Sequence, residues 1–189
     1  QGHAKNPGLW LEHSRNVALA ARLIAAHHPD LDAEAAYVMG LLHDIGRQEG
    51  VSGMRHTLDG YTFLRGLGHD DAARVCLTHS LQLKDVRSVF GVWDCTPEEM
   101  AFIQSYVDGL EYDGYDRLLQ LCDALALPEG LCVLEKRFVD VALRYGVNEY
   151  TVPKWRRTLE LKEHFEGFIG GSLYSILPGV VVTTFGFSP

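Results

Sequence analysis

The sequence predicts an all-α fold on three observations. Apolar residues recur at intervals of three and four along most of the chain, strand-like alternation is scarce, and helix start and stop signals punctuate the pattern. A first helix is expected from about Leu9 to His28, ended by Pro29. A second follows Asp32 as N-cap, runs through Ala35, Val38, Met39, Leu41 and Leu42, and delivers His43-Asp44 at its exit, with Gly46 as terminator. After the glycine-rich stretch Gly50 to Gly53, a helix carrying His56 and Leu58 should end near Gly66 or Gly68, and the next should start near Asp70-Asp71 and carry His79. Thr96-Pro97-Glu98-Glu99 combines a capping hydroxyl, a proline at the first helical position and a glutamate placed for the reciprocal bond. Further helices are expected over Tyr115–Leu125, Leu131–Tyr145 and Pro153–Phe168. The tail from Gly170 to Pro189 holds Val180, Val181, Val182, Thr183 and Thr184, a β-prone core expected to form a short strand or to pack as an irregular, extended arm. The chain thus divides into a lead over 1–8, a helical bundle over 9–169 and a tail over 170–189.

A length of 189 residues with 47% hydrophobic content suits one domain with a sizeable core. No apolar run approaches the roughly 18 residues of a membrane helix, and no signal-peptide pattern is visible at the start. The formal charge of -8, from 17 basic and 25 acidic residues, opposes binding to a nucleic-acid duplex. A small anionic substrate remains compatible, because it responds to the local field of a metal site. Cys76, Cys95, Cys122 and Cys132 form no CxxC pair; they suggest reduced, buried thiols and a cytoplasmic setting. Trp10, Trp93, Trp155, Phe138 and Phe165 are expected in the core.

His13, His43, Asp44, His56, His79 and Asp123 carry the chemical signal, most of them on separate predicted helices. Imidazoles and carboxylates are the ligands that first-row divalent metals accept, and a helical bundle can aim side chains from several helices at one point. A lone histidine is more often a surface or satisfied core residue, and a His-Asp dipeptide alone is weak evidence. His69-Asp70 makes the point: flanked by Gly68 and Asp71, it reads as a solvated helix start. His43-Asp44 follows the run Tyr37 to Leu42, which would bury it, and a buried His-Asp pair is costly unless a metal or a hydrogen-bond network compensates. His27-His28 reads as a solvated helix end, and His3 and His164 have no evident partners.

Leu41-Leu42-His43-Asp44-Ile45-Gly46-Arg47 resembles the signature of the HD superfamily of metal-dependent phosphohydrolases, an all-α bundle. The stretch Glu12-His13-Ser14-Arg15-Asn16 is similar to that family's first-histidine helix, His56 to Leu64 to its middle segment, Thr78-His79-Ser80 to its next histidine, and Leu119 to Leu125 to its closing aspartate helix. The motifs occur in order over roughly Leu9 to Leu127. The resemblance implies His13, His43, Asp44 and Asp123 around one metal, with His56 and His79 on a second and Asp44 bridging; the presence of both middle histidines favours the binuclear subset. The implied cofactors are two divalent transition-metal ions, iron first, with manganese, cobalt, nickel or zinc as alternatives. Two departures stand out: Arg47 replaces the usual lysine, and the segment from Asp44 to His56 is short.

The expected activity is hydrolysis of a nucleotide or other small phosphorylated metabolite by a metal-activated water, with Asp44 and Arg47 as catalytic residues. Arg47 would clamp the phosphate, and Arg137 either faces the phosphate or sits in an ion pair. The expected partner is the small substrate, without nucleic-acid duplex or membrane, the protein being a monomer or homodimer. Two alternatives stay open: a di-iron oxygenase with the same ligand order, and a non-catalytic signalling module on a degenerate bundle.

Overall fold

The computed structural model describes residues 5–188. His3, the opening of the lead segment and Pro189 lie outside the described residues. The α-helices are α1 (Trp10–Ala25), α2 (Ala33–Leu42), α3 (Arg55–Gly66), α4 (Asp70–Thr78), α5 (Pro97–Asp108), α6 (Gly114–Leu125), α7 (Leu134–Tyr145), α8 (Thr151–Ile169) and α9 (Val180–Phe185). Short 3-10 turns cover Ile45–Glu49, Val86–Ser88 and Leu173–Ser175. Among the described residues the only strands are β1 (Ala126–Leu127) and β2 (Gly130–Leu131), an antiparallel pair, so the all-α expectation holds.

Local chemistry sets these boundaries. The Asp32 side chain accepts from the Ala35 N–H to start α2. Thr96 and Glu99 form the reciprocal capping box of α5 behind Pro97, and Asp113 with Asp116 does the same for α6. α1 stops at Ala25 and a turn completes the path to Pro29, while α7 starts at Leu134 because Gly130–Leu131 is paired with β1.

Two glycines let backbones touch. A Cβ at Gly40 would lie 2.5 Å from Ala18 Cα, so α1 and α2 cross in direct contact and bring His13 toward His43. Gly46 does not act as the expected terminator. It is buried inside the 3-10 turn, where a Cβ would lie 2.0 Å from the His56 carbonyl oxygen, and this contact seats the Asp44 turn on α3.

Helix α6 lies centrally, packed against α1, α2, α4, α7 and α8. Its Leu118, Leu121 and Leu125 join Val17, Ile24, Leu161 and Phe165 in the main core, and a second cluster gathers Leu77, Leu81, Ile103 and Val107. The tail differs from its β-prone reading. Val180–Phe185 is helical, with Leu173, Leu177 and Val180 in the main core and Thr184 Oγ1 accepting from the Val133 N–H. The two-residue hairpin offers little edge to pair with, whereas a helix satisfies its own backbone groups, so packing overrides β-propensity. Among the described residues no helix is long and apolar enough to cross a membrane.

Candidate metal centre

The fold brings the six ligand-type residues from separate elements to one place. His13 sits on α1, His43 caps the end of α2, Asp44 follows it, His56 lies in the first turn of α3, His79 caps α4, and Asp123 lies in the last turn of α6. His43, Asp44, His56 and His79 are all buried. The three buried imidazoles pack together, His43 against His79 at 4.9 Å and His56 against His79 at 5.8 Å between ring centroids, with His13 5.3 Å from His43.

Their hydrogen bonds fix their tautomers. His43 Nδ1 lies 2.7 Å from the Gly40 carbonyl oxygen, His56 Nδ1 2.6 Å from that of Gly53, and His79 Nδ1 3.2 Å from that of Val75. A carbonyl can only accept, so each Nδ1 carries a proton, and each ring in its neutral form presents an Nε2 lone pair. Those lone pairs face carboxylates. His56 Nε2 is 3.0 Å and His79 Nε2 3.7 Å from Asp44 Oδ1, and His43 Nε2 is 3.9 Å from Asp44 Oδ2 and 3.8 Å from Asp123 Oδ1. Acceptors facing acceptors repel unless a cation lies between them. His43 Nε2 and Asp44 Oδ1 are buried without a hydrogen-bond partner, a costly state that a metal relieves. The donor set therefore fits a divalent transition metal.

Among the described residues, two groups of three donors lie close enough to hold an ion: His13, His43 and Asp123, and His43, Asp44 and His79. His13 Nε2 is 3.0 Å from Asp123 Oδ1, which closes the first group. His56 falls outside both groups. Arg47 touches both His56 and the carboxylate, with Nε 2.6 Å from Asp44 Oδ2 and Nη2 3.3 Å from His56 Nε2. The guanidinium thus faces the same His56 nitrogen that a metal would take.

The electrostatics suit a metal as well. Burial lowers the pKa of His43, and burial followed by neighbouring His43 takes His79 to about 3, so both rings stay neutral near pH 7. Burial alone would raise the pKa of Asp44, but the adjacent Arg47 guanidinium holds it well below the usual carboxylate range. Asp123 is likewise depressed against its burial, first through the hydrogen bond with His13. Neutral imidazoles and ionised carboxylates are the protonation states that bind metals.

Behind the centre, a buried network ties α4 to α6. Asp116 receives Arg74 Nε at 3.2 and 3.0 Å and the Thr78 hydroxyl at 2.6 Å, while Gln120 Nε2 donates to the Thr78 carbonyl oxygen at 3.0 Å. Thr78 precedes His79, and Asp116 and Gln120 precede Asp123 on α6. The network fixes the two ligand-bearing helix ends relative to one another.

In front lies a cavity of about 440 Å³, bordered by Asp44, Arg47, His56, His79, Asp123 and His13, and walled by α7 and α8. Arg137 borders it and lies 3.4 Å from Asp140, the intramolecular ion pair that was one of its two expected placements. Trp10 and Phe165 are buried as expected, but Phe138 and Trp155 stack at 5.3 Å and line the cavity, partly exposed. Helical periodicity cannot distinguish a core face from a cavity wall. Cys76, Cys122 and Cys132 are buried free thiols and Cys95 is only partly buried. His69 and Asp70 are exposed at the start of α4, as read.

Sequence reasoning missed Lys154 of α8, which borders the cavity. The signal was present: Lys154 shares a helical stripe with the buried Thr158, Leu161 and Phe165, a face where an unpaired lysine is unexpected.

The HD domain family matches the chain over residues 10–127, a span running from α1 through β1 and containing all six ligand-type residues. No curated protein and no solved structure matched the chain. The matched segment covers more than half of the chain and its histidines and aspartates converge as a metal site requires, and the chain belongs to the HD superfamily of metal-dependent phosphohydrolases.

Proposed function

We propose that the protein hydrolyses a small phosphorylated metabolite, a nucleotide among the candidates, at a pair of divalent metal ions. His13, His43, Asp44 and Asp123 would hold one ion, and Asp44, His56 and His79 the other, with iron the first expectation. The observation that carries this reading is the convergence of three fixed Nε2 lone pairs on the Asp44 carboxylate at the edge of an open cavity. Bound there, divalent ions supply a Lewis acid that activates water and neutralises charge developing on a phosphoryl group.

The chain's own residues do the rest. The backbone carbonyls of Gly40, Gly53 and Val75 hold the imidazoles in the ligating tautomer and orientation. Arg47 is anchored on Asp44 through Nε, and its terminal nitrogens, once clear of His56, can take phosphate oxygens in a fork. Arg137 adds a second cation at the wall. The cavity volume of about 440 Å³ lies within the range of small-molecule sites.

The test is an anaerobic screen for phosphate release from nucleotides and sugar phosphates, with each candidate metal added back. Phosphate release without oxygen, abolished in Asp44→Asn, is expected. Turnover that requires and consumes oxygen, or no phosphate release with any metal, refutes the reading.

A further inference from the structure

Four cations border the cavity: Arg47, Arg137, Arg144 and Lys154. The three arginines have carboxylate partners, Asp44 for Arg47 at 2.6 Å and Asp140 for Arg144 and Arg137 at 2.8 and 3.4 Å. Lys154 forms no ion pair among the described residues. Its Nζ donates to the Ser80 carbonyl oxygen at 3.0 Å and stands 5.1 Å from the centre of the Phe90 ring. An ammonium has three donors, so this carbonyl leaves two unassigned.

The position of this charge is informative. Ser80 follows His79, so the ammonium is tethered to the segment that carries a ligand-type imidazole. Its helical stripe otherwise consists of residues in the interior, Lys154 itself is half-buried at the cavity wall, and a charge drawn partly out of water is favoured by a partner of opposite sign. The carboxylates that border the cavity, Asp44 and Asp123, already belong to the metal centre. Among the described residues no further carboxylate borders the cavity to meet this charge, and an anion entering the cavity could. Burial draws the Lys154 pKa down to about 8, with Asp123 opposing and Arg137 adding to the shift, so the group remains largely charged at neutral pH.

We propose that Lys154 is a substrate-binding residue whose ammonium, with Arg137 nearby, takes an oxygen of the phosphoryl group presented to the metal centre. The proposal rests on the phosphohydrolase reading for the identity of the anion. A compact point charge with rotatable donors suits one oxygen of a tetrahedral oxyanion, while the arginine forks take others.

Inorganic phosphate, the product of the proposed reaction, is the probe. It is titrated calorimetrically into metal-reconstituted wild-type, Lys154→Met and Lys154→Arg proteins, each checked for folding by circular dichroism. Lys154→Met should weaken phosphate binding roughly 10- to 100-fold, the loss expected for one charge-assisted hydrogen bond, and Lys154→Arg should recover most of it. In the wild-type protein, phosphate should slow acetylation of Lys154, read by mass spectrometry, which requires no variant to fold. The proposal is overturned by a wild-type protein that binds no phosphate, by a folded Lys154→Met that binds it as wild type does, or by acetylation indifferent to phosphate. No turnover enters these readings, so a protein that binds phosphate through Lys154 but hydrolyses no ester would refute the proposed function alone.

Discussion

Replacing Asp116 with asparagine tests whether the α4–α6 clamp positions the metal centre. Asp116 is fully buried and holds Arg74 through both carboxylate oxygens, the Thr78 hydroxyl, and the Asp113 N–H at 2.9 Å. Asparagine keeps the shape but removes the charge, leaving the Arg74 guanidinium, whose side chain is 23% exposed, without its main partner. Breaking a buried ion pair costs about 3–5 kcal/mol, and the partial access of Arg74 to water places this case near about 3 kcal/mol. For a chain of this size that corresponds to a fall in Tm of roughly 6–12 °C. The second consequence is specific to the site. An amide NH2 in place of the second oxygen faces the Arg74 and Asp113 donors, so the clamp between α4 and α6 loosens, His79 and Asp123 lose part of what fixes their separation, and metal affinity should fall about 10- to 100-fold, as for other groups that orient ligands. Urea denaturation of the metal-free protein reads the first effect, and metal titration under conditions where the variant is fully folded reads the second. Stability within roughly 0.5 kcal/mol of wild type, with unchanged metal affinity, would refute the clamp.

Two further predictions follow from the same geometry. Gly46→Ala should destabilise the protein by about 1–3 kcal/mol or more and weaken metal uptake, because the new methyl meets the His56 carbonyl at 2.0 Å; Gly66→Ala, with nothing within 4 Å, is the matched control and should be neutral or slightly stabilising. Equal denaturation midpoints for the two variants would contradict this. The metal-free protein should also lose stability as the pH falls below about 6.5, because unfolding frees His79 to take a proton that its folded pKa of about 3 refuses. The unfolded state then binds more protons, so His79 alone should cost about 2 kcal/mol by pH 5, with His43 shifted in the same direction. A urea midpoint constant between pH 7 and 5 would contradict it.

The sequence announced those parts of the fold whose signals are local. Asp32 and the Thr96–Glu99 box start helices where they were expected to, because capping depends on residues within one turn. The six ligand-type residues were legible through their order along the chain, and the structure gathers them. Long-range packing was not legible. Gly46 looks like a helix stop in sequence and serves as the contact between a turn and α3. Val180 to Thr184 reads as strand by β-branching, yet burial against the core makes it helix. Phe138 packs against the main core yet also lines the cavity, where it stacks on Trp155, and Lys154 is noticed only when its stripe on α8 is seen to face inward. Arg47 was read as a phosphate clamp; its contact with Asp44 and His56 depends on a fold of the turn that spacing alone does not define.

The central claim is that Asp44 and the imidazoles around it hold divalent metal, and elemental analysis tests it most directly. Wild-type and Asp44→Asn proteins, both shown to be folded by circular dichroism, are reconstituted with iron or manganese without oxygen, dialysed and assayed for bound metal. The account predicts that the wild-type protein keeps metal through dialysis and that Asp44→Asn keeps less than roughly a tenth as much. A wild-type protein that emerges metal-free, or an Asp44→Asn protein with the full wild-type content, would contradict it.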